Sequence, residues 1–256
     1  MLDKNYASVS KKIERFISSY ISKSLAAGVA VGLSGGLDSS VVLKLSVNAL
    51  GPEKVAGFIL PSSTTPEQDV KDAVSLAESL KIDYKIIDAS PIISKYLEVL
   101  SGSTDKIRGN LVARIRMSIL YHEAAIKNYL VAGTSDKSEF LIGYFTKFGD
   151  GGSDLLPIAG LYKTQVRALA TYLGIPEGIV KKKSSPALWK GQLAEKELGM
   201  EYEIIDPILV LLVRKLTARQ AAKKLQLPIK DVIRVQAMIK ASAHKRKIAQ
   251  AANIEK

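Results

Sequence analysis

The sequence predicts an α/β fold in which helices cover both faces of a doubly wound, Rossmann-like parallel sheet. Short apolar segments alternate with amphipathic ones through the first two thirds of the 256 residues, as in β–α–β units. The length suits a single domain, with an α/β core at 29–176 between a leading helix at 1–28 and a helical extension at 177–256. Ligands of such sheets bind beyond the carboxyl ends of the strands, so the turns after the first and fourth strands are the expected site.

The individual elements follow from hydrophobic periodicity and from helix-breaking residues. Apolar residues recur at helical spacing over 6–27, which predicts a leading amphipathic helix that Gly28 ends. A short buried strand is predicted at 29–33, and further strands at 55–60, 83–88, 129–134 and 155–158. Helices are predicted between them at 39–50, 66–80, 110–127 and 163–173. Beyond Pro176 the pattern predicts a loop-rich segment at 177–200 and two helices within 217–247, broken near Leu227-Pro228.

Composition excludes several classes of chemistry. Cysteine is absent, so disulfides, thiol nucleophiles, thiolate metal sites and any cysteine-dependent glutaminase are excluded. Hydrophobic residues at 47% and charged residues at 24% are ordinary for a globular protein. The longest apolar run, 208–213, is too short to span a bilayer, and the N-terminus lacks the pattern of a secretory signal. We therefore expect a cytoplasmic protein without a membrane partner.

The net charge of +12 is concentrated near the C-terminus. Residues 211–256 hold 12 Lys and Arg against 2 Asp and Glu. Such a segment attracts phosphates on nucleic acids or nucleotides, although a solvated helical face has the same composition. A helix-turn-helix is also resembled by part of this region, with helical segments at 218–225 and 232–235 and a turn at 226–228. DNA binding is therefore one alternative function.

The most informative local feature is the run at 32–40, Gly-Leu-Ser-Gly-Gly-Leu-Asp-Ser-Ser, between the first strand and the next helix. Glycine lets the backbone approach an anion closely, and the first N–H groups of the helix point towards it. Ser34 and Ser39 offer hydroxyl donors, and Asp38 can hold a Mg²⁺ that bridges phosphate oxygens. The run is not a Walker loop, because the Lys-Ser/Thr ending is missing. A purely structural turn is the alternative interpretation.

The residues at 34–40 resemble the pyrophosphate-binding loop of the ATP pyrophosphatases, enzymes of the adenine nucleotide alpha hydrolase-like fold. A second block resembles NAD synthetases specifically: 133–139, Gly-Thr-Ser-Asp-Lys-Ser-Glu, followed by the Gly- and Asp-rich stretch 143–157. Further stretches with the same resemblance lie at 110–117, 161–167, 188–199 and 242–247. The resemblance thus covers residues 32–247 in order.

The resemblance implies roles residue by residue. ATP would be bound by Gly32, Leu33, Ser34, Gly35, Gly36, Leu37, Asp38, Ser39, Thr134, Lys163 and Ser185. Deamido-NAD would be bound by Arg114, Lys147, Asp154, His244 and Lys245. The implied catalytic residues are Asp38, Glu139 and Lys163, and of these Asp38 and Glu139 would bind Mg²⁺. Ordinary surface positions are the alternative for Arg114, Lys163 and His244. Ser185 stands where many relatives have Thr, and 184–187 departs from the usual motif of the family.

The implied reaction adenylates the carboxylate of deamido-NAD with ATP and then aminates it with ammonia, in a homodimer. Positioning and charge neutralisation by Mg²⁺ and Lys would provide most of the catalysis. The Gly-rich loop at 149–152 is expected to close over the adenylate and exclude water. A different ATP pyrophosphatase, acting on XMP or tRNA, is the other alternative. Nucleic acid is not expected as a partner, because a DNA-binding function would leave the phosphate loop unexplained.

Overall fold

The computed structural model describes residues 2–102, 104–247, 249 and 251–252, and within them four parallel strands form one sheet. The strands are β1 (Gly28–Gly32), β2 (Val55–Ile59), β3 (Asp83–Ile86) and β4 (Tyr129–Ala132). Their order is β3-β2-β1-β4, and Val29 of β1 is aligned with Val55 on one side and Leu130 on the other. The chain therefore runs outwards from β1 to β3 and returns on the far side of β1. The doubly wound prediction is confirmed.

Helices connect and follow these strands in the described part of the chain. They are α1 (Tyr6–Ser24), α2 (Leu37–Leu50), α3 (Glu67–Ser79), α4 (Ser90–Val99), α5 (Asp105–Ile126), α6 (Lys137–Ile142), α7 (Lys163–Tyr172), α8 (Glu177–Val180), α9 (Ala194–Leu198), α10 (Tyr202–Val213), α11 (Ala218–Leu225) and α12 (Ile229–Ala241). Short 3₁₀ turns lie at Pro52–Lys54 and Ala243–Arg246. None of the helices in the described ranges is long and apolar enough to cross a membrane. The last residues of the predicted C-terminal extension, 253–256, lie outside the described residues.

Two predictions about the elements were wrong. The predicted strand at 155–158 is reduced to one bridge between Leu155 and Ala132, because Pro157 has no N–H with which to continue a ladder. The second error is the omission of α4, α6 and α10. Helix α10 is apolar around most of its circumference and contains Pro207, so it shows no amphipathic period that would distinguish it from a core segment.

The site is positioned by two hydrophobic cores. One packs the sheet against α1, α2 and α7, and includes Val31, Val41 and Leu169, all fully buried. The other packs α10, α11 and α12 against α6, with Tyr202 and Leu209 fully buried in it. Helices α6 and α7 lie where the two cores meet, since both contact α10. The first residues of α6 and α7 are therefore positioned by both cores.

Candidate active site

The phosphate loop lies between β1 and α2 and leaves the beginning of α2 open. Gly36 is the N-cap of α2 and makes no side-chain cap hydrogen bond, so the first N–H groups of the helix are available to an anion. Ser39 Oγ donates to the Gly36 carbonyl and accepts from Ser34 N, which shapes the loop. Gly35 has φ +70°, and a Cβ there would lie 2.0 Å from the Asp69 carbonyl oxygen. Only glycine allows this loop to pass so close to α3.

Lys182 links the phosphate loop to α3. Its Nζ donates to the Gly35 carbonyl at 2.8 Å and to Asp69 Oδ1 at 2.7 Å, and it also contacts Asp72. Burial opposes its charge, but the hydrogen bonds to the two aspartates outweigh burial and raise the pKa of Lys182. The resemblance gave no role to Lys182, because three consecutive lysines at 181–183 carry no local signal that distinguishes one of them.

Lys163 is the electrostatic centre of the site. It begins α7, its side chain is 1% exposed, and its Nζ lies 2.7 Å from Asp38 Oδ2, 2.9 Å from Asp136 Oδ2 and 2.8 Å from Glu139 Oε1. Asp38 comes from the first turn of α2, whereas Asp136 is the N-cap of α6 and Glu139 lies in its first turn. The structure therefore brings together the three residues predicted to be catalytic. Asp136 had been given no role, since an aspartate after a strand is equally typical of a helix N-cap.

The cluster shifts the pKa values of its members. Burial alone would lower the pKa of Lys163, but the attraction of the three carboxylates outweighs it and raises that pKa well above its usual value. Burial raises the pKa of Asp136 to about 6, with Lys163 acting in the opposite direction. Burial likewise raises the pKa of Glu139. One lysine cannot neutralise three carboxylates, so the cluster has an excess of negative charge when all are ionised.

Two of these carboxylates have the position and capacity to hold a cation. Asp38 and Glu139 line the cleft, whereas Asp136 lies behind them and is fully buried. Oδ1 of Asp38 is buried without a hydrogen-bond partner among the described residues. No group of three His, Cys, Asp or Glu side chains in the described ranges forms a cage for a metal ion. Two carboxylates are nevertheless enough for Mg²⁺, which completes its shell with water and phosphate oxygens.

Asp206 of α10 fixes the beginnings of α6 and α7. It is fully buried, accepts from Ser138 Oγ through Oδ1, and accepts from Thr164 N at 2.8 Å and Thr164 Oγ1 at 2.7 Å through Oδ2. Ser138 Oγ in turn accepts from Lys163 N at 3.0 Å. The backbone that carries Lys163 is thus tied to the second core. Nothing near Asp206 in the sequence suggests this role, because its partners are 42 and 68 positions away.

The cleft beyond the phosphate loop has a volume of about 530 Å³. The first residue in the sequence that lines it is Gly32, and the last is Lys245. Its apolar wall includes Phe58, Leu60, Met117, Leu120 and Val131, a suitable surface for a flat ring system. Of the residues predicted to bind ATP, those on the cleft wall are Gly32, Leu33, Ser34, Asp38, Ser39, Thr134 and Ser185.

The four remaining predicted ATP residues have no place on the cleft wall, and Ser185 on that wall is already hydrogen-bonded. Lys163 lies behind Asp38 and Glu139, and Gly35, Gly36 and Leu37 also do not line the cleft. Ser185 Oγ donates to the Gln192 carbonyl at 2.6 Å and accepts from Ala187 N at 3.1 Å. This hydroxyl therefore stabilises the turn at 185–192 in addition to facing the cleft.

The five residues predicted to bind deamido-NAD lie in three places. Lys245 lines the cleft and donates to the Gly143 and Phe145 carbonyls, at 2.8 Å each. Lys147 donates to the His244 carbonyl at 3.1 Å, and Arg114 Nε donates to the Lys147 carbonyl at 3.3 Å. Arg114, Lys147 and His244 therefore lie together, and none of the three is part of the cleft wall.

Asp154, the fifth residue predicted to bind deamido-NAD, is bonded inside the fold. It accepts from Tyr121 Oη at 3.1 Å and from Val131 N at 2.7 Å, and it does not line the cleft. Both carboxylate oxygens are therefore used to connect α5 with β4.

The chain is similar to known proteins over nearly its whole length. A family profile described as NAD synthase matches residues 9–249. An NH(3)-dependent NAD(+) synthetase of Hyperthermus butylicus is 54% identical over 254 residues, which are 98% of this chain and 92% of that protein. The solved structure of NMN synthetase from Francisella tularensis superposes with a TM-score of 0.88 at 36% identity, covering 98% and 100% of the two chains. For NH3-dependent NAD synthetase from Campylobacter jejuni in complex with the nitrate ion, the TM-score is 0.85 at 32% identity, with the same coverage.

Proposed function

The chain belongs to the NAD synthase family, and from this membership we propose that it amidates deamido-NAD with ammonia, using ATP and releasing NAD, AMP and pyrophosphate. It is then a ligase that forms a carbon–nitrogen bond. The observation that carries the proposal is the position of Lys163, which contacts Asp38 and Glu139 beside the open N-terminus of α2. The transfer of an adenylyl group requires a cation, two cation-binding carboxylates and free helix N–H groups at one point.

The chemistry solves the problem that a carboxylate is a poor electrophile. A nicotinate oxygen attacks the α-phosphorus of ATP, the bond from that phosphorus to the bridging oxygen breaks, and pyrophosphate leaves with the electron pair. Ammonia then attacks the acyl carbon, the carbon–oxygen bond to AMP breaks, and the nitrogen loses a proton. This sequence requires no covalent bond to the protein, in agreement with a chain that has no cysteine.

The residues of the phosphate loop bind and orient the leaving group. The first N–H groups of α2, with Ser34 and Ser39, face the cleft and would bind the β- and γ-phosphates. Lys163 stays protonated among its carboxylate partners, offsets part of their negative charge, and so holds Asp38 and Glu139 in place beside the phosphate loop. Catalysis therefore depends on positioning and electrostatics.

Asp38 and Glu139, which line the cleft, would hold Mg²⁺, and Asp38 Oδ1 has no hydrogen-bond partner among the described residues. When bound, this ion supplies positive charge to the phosphates. Asp136 does not face the cleft and is left as the counter-ion of Lys163.

We also propose that the protein is a cytoplasmic homodimer in which Arg114, Lys147, Asp154 and His244 contribute to deamido-NAD binding. Support for these roles is the resemblance of their motifs, and the exposed position of Arg114 next to Lys147 leaves these two residues accessible. Sedimentation velocity tests the dimer. Closure of the loop at 149–152 is tested by limited proteolysis, and cleavage unchanged by ATP and deamido-NAD would refute it.

The central experiment is an assay of purified protein with ATP, Mg²⁺, deamido-NAD and either ammonium or glutamine, following NAD and AMP. We expect equimolar NAD and AMP with ammonium and none with glutamine. Turnover of XMP or tRNA without turnover of deamido-NAD would contradict the proposal.

A mononucleotide substrate is a second candidate, because the Francisella tularensis structure with the TM-score of 0.88 is an NMN synthetase. The same chemistry would convert nicotinate mononucleotide to NMN. The ratio of the two kcat/KM values decides between them, and we expect it to favour the dinucleotide, as the 54% identity to an NAD(+) synthetase indicates.

A further inference from the structure

Arg116 of α5 is a partly buried cation in the cleft wall. Its Nη2 donates to Ser62 Oγ at 3.1 Å and to Thr65 Oγ1 at 3.0 Å, both on the segment between β2 and α3. Its Nε is buried and has no hydrogen-bond partner among the described residues. Nor does Arg116 form an ion pair within the described ranges. The guanidinium is thus partly withdrawn from water, with a buried Nε and with its Nη2 bonded to two neutral hydroxyls.

This arrangement is costly in the free protein. A buried charge is normally paired, as Lys163 is with three carboxylates and Lys182 with two. Burial lowers the pKa of Arg116 to about 10, and the charge of Asp150 only partly opposes this shift. An anion that enters the cleft and binds the guanidinium would remove the cost.

The face of α5 that carries Arg116 is different from the face that carries Arg114. Residues two apart on a helix point about 200° apart. Arg114 is exposed and donates to the Lys147 carbonyl, whereas Arg116 lines the cleft and donates to hydroxyls of the loop at 62–65. The two arginines of one motif therefore have different surroundings, and the family resemblance implied a role only for Arg114.

We propose that Arg116 binds an anionic group of a nucleotide ligand, a phosphate or a carboxylate, and that Ser62 and Thr65 orient its guanidinium for this purpose. The inference rests on the proposed function, which supplies both kinds of anion: the phosphates of ATP and of deamido-NAD, and the nicotinate carboxylate. A guanidinium can donate two parallel N–H bonds to any of these groups.

The test measures equilibrium binding by calorimetry to Arg116→Met and Arg116→Lys, with ATP, deamido-NAD and NAD titrated separately in the presence of Mg²⁺. We expect Arg116→Met to weaken at least one ligand by about 10- to 100-fold, and Arg116→Lys to weaken it less. Loss confined to ATP identifies an ATP phosphate. Loss for both dinucleotides identifies a dinucleotide phosphate, and loss for deamido-NAD but not NAD identifies the carboxylate.

Two controls separate ligand binding from a structural role. Arg108→Met, on the same helix but paired with Asp105 at the surface, is expected to bind all three ligands as the wild type does. The double variant Ser62→Ala/Thr65→Val keeps the cation and removes its orienting bonds together with the bond from Ser62 N to Thr65 Oγ1, and we expect less than about a fivefold change. The melting temperature of free Arg116→Met should equal or exceed that of the wild type, because an unpaired buried charge has been removed.

Unchanged affinity of Arg116→Met for all three ligands would overturn the proposal. A loss of affinity in the double variant as large as that in Arg116→Met would also overturn it, because it would show that the arginine only holds the loop. If Arg116→Met does not fold, Arg116→Lys decides, and wild-type affinity in that variant refutes the proposal. Turnover by the wild type is measured in parallel. If the wild type converts deamido-NAD and the Arg116 variants bind all ligands with unchanged affinity, only the role of Arg116 is refuted. If the wild type does not convert deamido-NAD, the proposed function is refuted.

Discussion

Lys163 Nζ lies 2.7 Å from Asp38 Oδ2, and this contact joins the first residue of α7 to the first turn of α2 across 125 positions of sequence. The two residues approach the site from different sides: Asp38 follows β1, and Lys163 follows the segment that returns from β4. Because Asp136 and Glu139 converge on the same nitrogen, the lysine is held by charge on three sides. We expect this geometry to determine both activity and stability.

Replacement of Lys163 by Met should abolish most catalysis. The variant removes the cation that offsets the charge of Asp38 and Glu139 and holds them beside the phosphate loop, so we expect kcat to fall by about 10²- to 10³-fold. It also leaves three carboxylates without a counter-ion, which should lower the free energy of unfolding by about 3–5 kcal/mol at pH 7. Steady-state kinetics and urea denaturation measure the two effects. The surface lysine Lys95, paired with Glu98, provides the control: Lys95→Met should change neither quantity appreciably. Wild-type kcat in Lys163→Met would refute the role.

The buried Asp136 predicts a definite pH dependence of stability. Burial raises its pKa to about 6 in the folded protein, above the value near 4 expected in an unfolded chain. The folded state therefore binds a proton more tightly, and the stability that this provides is complete below about pH 4 and is lost as the pH rises through about 6. Asp136→Asn cannot titrate and keeps an N-cap oxygen for Glu139 N.

Between pH 4 and 7 the wild type should accordingly lose about 1–3 kcal/mol of unfolding free energy relative to Asp136→Asn. Denaturant titrations at four pH values in this interval measure the difference. Asp105→Asn, a change at an exposed position, should instead follow the wild type throughout. A difference between wild type and Asp136→Asn that stays constant with pH would contradict the prediction.

Replacement of Asp206 by Ala should damage the site from a distance. The change removes the acceptor for Ser138 and Thr164 and leaves their donors buried, at an expected cost of about 2–4 kcal/mol in stability. Because Lys163 and Glu139 lose a fixed backbone, kcat should fall more than the KM for ATP rises. Glu203→Ala on the same helix removes only an exposed pair with Arg167 and should cost less than about 1 kcal/mol. A kcat equal to wild type would show that α7 needs no such support.

The features predicted from sequence are those encoded within a few neighbouring residues. The strands β1, β2 and β4 are continuous apolar runs, and the phosphate loop is a contiguous motif, so both were found. The meeting of Asp38, Glu139 and Lys163 was predicted only through family resemblance, since no local pattern shows that positions 38, 139 and 163 approach one another.

The features that were missed depend on the tertiary fold. Asp206 acquires its partners only when α10 packs against α6 and α7. Arg114 and Arg116 have the same local sequence surroundings, and helical periodicity alone does not indicate which face of α5 turns towards the cleft. The structural contacts of Asp154 were also not predicted: its carboxylate accepts from Tyr121 Oη and from Val131 N.

The close approach of the phosphate loop to α3 predicts that Gly35 tolerates no side chain. In Gly35→Ala the added Cβ would lie 2.0 Å from the Asp69 carbonyl oxygen, at a φ of +70° that L-residues adopt with strain. The loop must therefore move outwards, which displaces the Gly35 carbonyl from Lys182 and closes the approach to the N-terminus of α2. We expect about 1–3 kcal/mol of destabilisation and at least a tenfold weaker binding of ATP.

A matched glycine distinguishes this steric effect from a general effect of the substitution. Gly178 lies within the short helix α8 with nothing near its Cβ position, so Gly178→Ala should leave ATP binding unchanged and raise stability by up to about 1 kcal/mol. Thermal denaturation with and without ATP measures both variants. Because the ATP-dependent rise in melting temperature reports affinity for the folded state, it should shrink in Gly35→Ala and persist in Gly178→Ala. An undiminished rise in Gly35→Ala would mean that ATP does not use this loop.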